Sequence, residues 1–250
     1  MYDREKYILS DSPIKNDLLK LFSFKDKLVI FDIGGCEGED SIRYSRLFPN
    51  SKIFIFEPLP NNQKLIQENL KKFKVLNVAL IPEALSDNKS VEKFHVSSGC
   101  PDEMNHNLNW DFGNKSSSLL APDKIEDLIP WLKFKEVIEV PTNTLKNFVQ
   151  FNNLSHIDFV HMDVQGAELK VLKGAQNIIK YIRVIWLEVS NDQLYKEQPQ
   201  IVDVESFMHE NEFIRIKTIF SGVNSDQLYI NKKYFKLISF MGYTKFFKIK

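Results

Sequence analysis

The chain has 250 residues, 43% hydrophobic and 26% charged, ample for one large α/β domain and short for two. Lysine plus arginine balances aspartate plus glutamate at 33 each, so the basic excess of a nucleic-acid partner is missing. The two cysteines, Cys36 and Cys100, are too few for a disulfide scaffold or a zinc cluster. The opening Met1-Tyr2-Asp3-Arg4-Glu5-Lys6 is charged, and no apolar run approaches the ~20 residues of a membrane span. The expected location is therefore the cytoplasm.

Residues 1–27 read as a helical lead-in, with Ser12 as a cap, Pro13 at the first helical position, and an apolar stripe of Leu18, Leu19, Leu21 and Phe22. The run Leu28-Val29-Ile30-Phe31 suits a strand buried on both faces. It leads into Asp32-Ile33-Gly34-Gly35-Cys36-Glu37-Gly38, where an acid and three glycines let backbone approach a ligand closely. A helix from about Asp40 to Phe48 would aim free N–H groups at the same spot. Cys36 reads as a small packing residue, since no activating base adjoins it. A strand Ile53–Phe56 follows and ends in Glu57-Pro58. A helix Leu65–Phe73 and a strand Val75–Leu80 come next, and then Ala84-Leu85-Ser86-Asp87. Strands alternating with helices at this spacing predict βαβ units in a doubly wound sheet.

Val91–Val96 reads as an added strand. Residues 97–135 are polar and irregular but contain Trp110, Trp131, His106 and Ser116-Ser117-Ser118. So long an aperiodic segment inside a compact domain marks a substrate loop. The α/β rhythm resumes with a helix Thr144–Phe151 and a strand Ile157–Asp163. Val164-Gln165-Gly166-Ala167-Glu168 opens a helix through Leu172. Arg183–Val189, a helix around Val204–Asn211, Phe213–Lys217 and Gln227–Ile230 complete the body. Residues 231–250 carry six lysines and no acid, with Tyr234, Leu237, Ile238 and Met241 on one helical face. Such a helix packs on the body or makes a peripheral contact with an anionic membrane.

The cofactor follows from the acids. In open α/β sheets ligands bind beyond the carboxyl ends of strands. Glu57, after the second strand, suits the two hydroxyls of a ribose. The dinucleotide fingerprint is absent, because Cys36 and Glu39 take its second and third glycine positions. Asp32 is poor company for a pyrophosphate and suits an ammonium or sulfonium. S-adenosylmethionine (SAM) carries both.

Phe31-Asp32-Ile33-Gly34-Gly35 with Gly38, Phe56-Glu57-Pro58, Ala84-Leu85-Ser86-Asp87, Met162-Asp163-Val164-Gln165-Gly166-Ala167-Glu168 and Val171-Leu172-Lys173-Gly174-Ala175 occur in that order. Over residues 28–230 the chain resembles the FkbM-type SAM-dependent methyltransferases. The resemblance implies a Rossmann-like class I methyltransferase fold, α/β, with helices on both faces of a seven-stranded, mostly parallel sheet whose last strand is antiparallel. It implies O-methylation, often of sugars or other hydroxylated natural products. His161 and Gln165 stand where the family usually has lysine and glutamate.

Gly34, Gly35, Gly38 and Asp32 are expected against the methionine part, Glu57 on the ribose, and Pro58, Ala84, Leu85 and Ser86 around the adenine. Asp163 is expected near the reacting centre, with Asp163 or His161 as the base for a hydroxyl acceptor. Glu168 either binds an acceptor hydroxyl or is a first-turn acid favoured by the helix dipole. Ser117 and Ser118 match a serine-containing stretch of the family and are expected on the cofactor or acceptor. No spacing specifies a metal. The expected activity is methyl transfer to a sugar, glycan or similar small acceptor. The alternative is a non-catalytic SAM- or adenosine-binding protein of a membrane assembly.

Overall fold

The computed structural model describes residues 4–101 and 110–240. Five apolar segments form parallel strands: β1 (Val29–Ile33), β2 (Lys52–Phe56), β3 (Val78–Ile81), β7 (Ile157–Met162) and β8 (Ile182–Ser190). With β9 (Phe213–Ser221) and β10 (Asn224–Asn231) they make one sheet in the order β3-β2-β1-β7-β8-β10-β9. The final strand, β10, runs antiparallel to both neighbours. The sheet order reverses between β1 and β7, which leaves a crevice at their carboxyl ends.

Strand alternation sends successive side chains to opposite faces. Phe31, Val160, Ile185 and Tyr229 meet Leu145 and Phe148 of α6 (Leu145–Phe151), Leu172 of α7 (Glu168–Ala175) and Met208 of α8 (Ile201–Glu210). Ile30, Phe159, Val184 and Leu228 meet Leu18 of α2 (Lys15–Leu21) and Tyr44 of α3 (Glu39–Leu47). Helices thus cover both faces, which is why these strands are apolar throughout.

Three features differ from the reading of the sequence. Helix α2 starts at Lys15 after Ile14, with no side-chain cap, and the hydroxyl of Ser12 is buried without a partner. The stretch read as irregular contains a 3-10 helix (Phe112–Ser116), α5 (Ile125–Leu128) and the start of β6 (Lys133–Asn143). Strand β6 pairs in parallel with β4 (Ala84–Leu85) and antiparallel with β5 (Val91–Ser98) in a second, three-stranded sheet. The alternation of Val140 and Thr142, both buried, with exposed Glu139 and Pro141 was its signal. His106 lies outside the described residues. At the other end α9 (Lys232–Phe240) sets Tyr234 and Phe235 against the second core, and Tyr234 donates to the Leu21 carbonyl at 3.2 Å. Met241 and the residues after it lie outside the described region.

Candidate active site

A partly enclosed cavity opens at the carboxyl ends of β1, β2 and β7. Its walls include Gly34, Glu57, Pro58, Ala84, Leu85, Ser117 and Asp163, seven residues singled out in the sequence. Cys36, Asn114, Lys115, Phe94 and Asn62 of α4 (Pro60–Lys72) also line it.

The glycine loop takes its shape from close backbone approach. Gly34 has φ +85°, and a Cβ there would lie 1.8 Å from the Asp163 carbonyl oxygen. Only glycine lets β1 turn against the end of β7 in this way. The N–H groups of Gly34 and Gly35 both donate to the Phe56 carbonyl, at 3.0 and 3.1 Å. Gly35 faces Ile55, and Gly38, in the left-handed region, precedes α3. These two glycines shape the loop and do not line the cavity.

Glu57 is 4% exposed. Its Oε2 accepts from Cys36 N at 2.9 Å and its Oε1 from Leu59 N at 2.8 Å. Burial is the largest influence on it and raises its pKa to about 7 against these donors. A carboxylate offers roughly four acceptor positions, so capacity remains for incoming hydroxyls.

Asp32 is placed otherwise than expected. It does not line the cavity. Its Oδ2 accepts from the Ser41 hydroxyl at 2.6 Å, and its Oδ1 lies 3.2 Å from Nδ1 of His161. His161 is likewise off the cavity wall. Burial disfavours its charge, but Asp40, the Asp32 hydrogen bond and Asp163 outweigh that and raise its pKa to about 9. The raised pKa favours the charged imidazole, which pairs with Asp32. Asp163 is pushed up by burial and drawn down by Gln165 and His161, so its carboxyl stays above its ordinary range. Gln165 Nε2 donates to Asp163 Oδ1 at 2.6 Å and reaches Glu188 Oε2 at 3.4 Å. Asn224 Nδ2 donates to the other Glu188 oxygen at 3.0 Å.

Other candidates serve as fasteners. Glu168 Oε1 accepts from Val164 N and Gly166 N, at 3.1 and 3.3 Å, and so holds the β7–α7 loop. Ser118 donates to the Gln165 carbonyl at 2.8 Å. Ser86 is fully buried, with its carbonyl close against Gly174 of α7. Ser117 alone of the two serines reaches the cavity.

The segment after residue 109 covers the cavity. Glu37, 2% exposed, accepts from Trp110 Nε1 and Asn114 Nδ2, both at 3.1 Å, and pairs with Arg4 of α1 (Arg4–Leu9) at 2.8 Å. Lys115 pairs with Glu39. Sequence reading missed Asn62, Asn114 and Lys115 because polar residues in a helix and an aperiodic segment carry no spacing signal. The two glutamates in the glycine loop were the available hint that something basic must cover it.

Among the lining residues are two acids, one lysine, the two amides Asn62 and Asn114, and an apolar wall of Leu85, Phe94 and Leu119. This inventory fits SAM, which has hydroxyls, a cationic centre, a carboxylate and a flat base. Among the described residues no three histidine, cysteine, aspartate or glutamate side chains are grouped to hold a metal. A doubly wound seven-stranded sheet with this cavity beyond β1 and β2 defines a class I SAM-dependent methyltransferase.

Comparison with known proteins gives the family. The model of the methyltransferase FkbM domain matches residues 32–215, and the chain belongs to that family. Its cofactor is SAM. The chain is 31% identical over 205 residues to 2-O-methyltransferase NoeI of Sinorhizobium fredii (strain NBRC 101917 / NGR234), covering 82% of this chain and 80% of that protein. It is 25% identical over 152 residues to Methyltransferase 1 of Beauveria bassiana (strain ARSEF 2860), covering 60% and 59%. The fold is shared with an rRNA methylase from Streptococcus thermophilus at a TM-score of 0.50 and 10% identity, covering 89% of this chain and 98% of that one. The non-catalytic alternative is set aside by this membership. Among the described residues no helix is long and apolar enough to cross a membrane.

Proposed function

We propose that the protein transfers a methyl group from SAM to a hydroxyl of a sugar or glycan. The observation that carries this reading is the position of Asp163, on the cavity wall and hydrogen-bonded through Gln165 toward Glu188. Beyond Asp163 the carboxyl ends of β7 and β8 and the adjoining start of β10 present Glu188, Asn224 and Asp226, acceptors and an amide of the kind that hold a polyol. Similarity to a 2-O-methyltransferase supports a hydroxyl as the acceptor.

The sulfonium supplies an electrophilic methyl when the cofactor is bound. Glu57 receives the ribose hydroxyls, while Pro58, Ala84 and Leu85 border the adenine. Asp163 Oδ2 faces the acceptor, orients its hydroxyl for in-line attack and takes its proton. Gln165 keeps Asp163 in position, and His161, held on Asp32, supplies the nearby positive charge.

The test is transfer of labelled methyl from SAM to a panel of mono- and oligosaccharides. An alkali-stable ether product is expected. An alkali-labile ester, an N-methyl product, or no transfer by protein that binds S-adenosylhomocysteine (SAH) would reject a hydroxyl acceptor. Asp163→Asn should lower kcat about 10²–10⁴-fold.

A further inference from the structure

Resting on the reading of the cavity as the SAM site, we infer that Lys115 binds the cofactor's α-carboxylate. The described residues lining the cavity include Glu57 and Asp163, and Lys115 is the one cation among them. Glu37, Glu39 and Asp40 crowd the start of α3 beside the glycine loop. A carboxylate entering there meets repulsion from these acids unless a cation receives it.

Lys115 is placed to do so. Its ammonium lies on Glu39, in the first turn of α3. It sits over the Tyr7 ring of α1, 4.7 Å from the centroid. Cys36, on the cavity wall, feels its charge, and so does Asp163. The ammonium therefore stands beside the first turn of α3, where its residue lines the cavity. Glu57, which accepts from Cys36 N at 2.9 Å, borders the same cavity from the end of β2. A ligand with its hydroxyls on Glu57 has this ammonium as the one cation among the described lining residues to receive its carboxylate.

The present partner leaves room for another. Glu39 Oε1 takes Lys115, while Glu39 Oε2 accepts from Glu37 N at 3.1 Å. An ammonium has three donors, so Lys115 can serve Glu39 and a cofactor oxygen together. Asn114, next in the chain, is tied to Glu37 and to Asn62 Oδ1 at 3.1 and 3.2 Å, which fixes the 3-10 helix that carries Lys115. The covering segment thus brings a charge for the ligand as well as a roof.

Isothermal titration of the full chain with SAH and with 5′-methylthioadenosine, which lacks the amino-acid part, tests this. Lys115→Met should weaken SAH about 10–100-fold, as loss of a charged hydrogen bond does, and leave 5′-methylthioadenosine unchanged. Lys115→Arg should recover most of the loss. If Lys115→Met does not fold, the wild-type protein with the carboxamide of SAH reads the same contact from the ligand side, with the same loss expected. Equal weakening of both ligands, unchanged SAH affinity, or a carboxamide that binds as well as SAH would each overturn the role of Lys115. Failure of the wild-type protein to bind either nucleoside overturns the cofactor site itself, and the inference falls with it.

Discussion

His161 Nδ1 lies 3.2 Å from Asp32 Oδ1 and joins paired positions of β7 and β1 beneath the cofactor loop. The two side chains are 13% and 2% exposed, so neither charge is well solvated. Removing one member of a buried pair leaves the other uncompensated. His161→Asn should lower the unfolding free energy at pH 7 by about 3–5 kcal/mol, and His161→Lys should retain most of it. Urea denaturation measures both, and a loss near zero would show the pair to be dispensable.

The same pair gives a pH dependence. The folded state raises His161 from 6.5 to about 9. Its contribution is therefore complete below about pH 6.5 and is lost as pH rises through about 9. Denaturation midpoints taken from pH 6 to 10 should fall for the wild type and fall less for His161→Asn.

The proposed ribose contact of Glu57 predicts a pH dependence of cofactor binding. Its pKa without ligand is raised to about 7 by burial. Ribose hydroxyls donate best to the ionised form, so binding favours loss of that proton. SAH affinity should rise between pH 6 and 8. Glu57→Gln should weaken binding and flatten the profile by calorimetry; a profile that keeps its slope would remove Glu57 from the ribose site.

Gly34 tolerates no side chain. Its φ is +85°, and a methyl group on its Cα would sit 1.8 Å from the Asp163 carbonyl oxygen, so Gly34→Ala must separate β1 from β7. The expected cost is on the order of 4 kcal/mol, in the range of severe core disruption. Thermal melting reads it, and a variant as stable as the wild type would contradict this loop geometry.

Gln165→Glu keeps the shape and removes the amide hydrogens shared by Asp163 and Glu188. A third carboxylate then faces the other two, and their titration moves upward. Carboxyl carbon shifts in labelled protein should show Asp163 titrating at higher pH in the variant. No movement would mean that the amide does not govern that proton.

The glycine loop, Glu57 and Asp163 were legible because strand, turn and acid follow one another in the chain. Lys115 was not, since its partner Glu39 lies far off in sequence and its own segment has no periodicity. Asp32 shows why even a recognised motif misplaces a residue. Alternation along β1 says that Asp32 and Ile33 point to opposite faces, but not which face borders the cavity. Ile33 lines it, while Asp32 turns toward Ser41 and His161. Strand β6 escaped because its polar face and Pro141 dilute the apolar signal.

The sequence alone determined the alternating α/β plan and the class of cofactor, both of which depend on neighbours within a few residues. Tertiary structure decided which carboxylates meet the cavity, which histidine meets Asp32 and which lysine covers the loop. Those outcomes depend on charges brought together across strand pairs and on burial that changes their protonation, and neither quantity is written in local spacing.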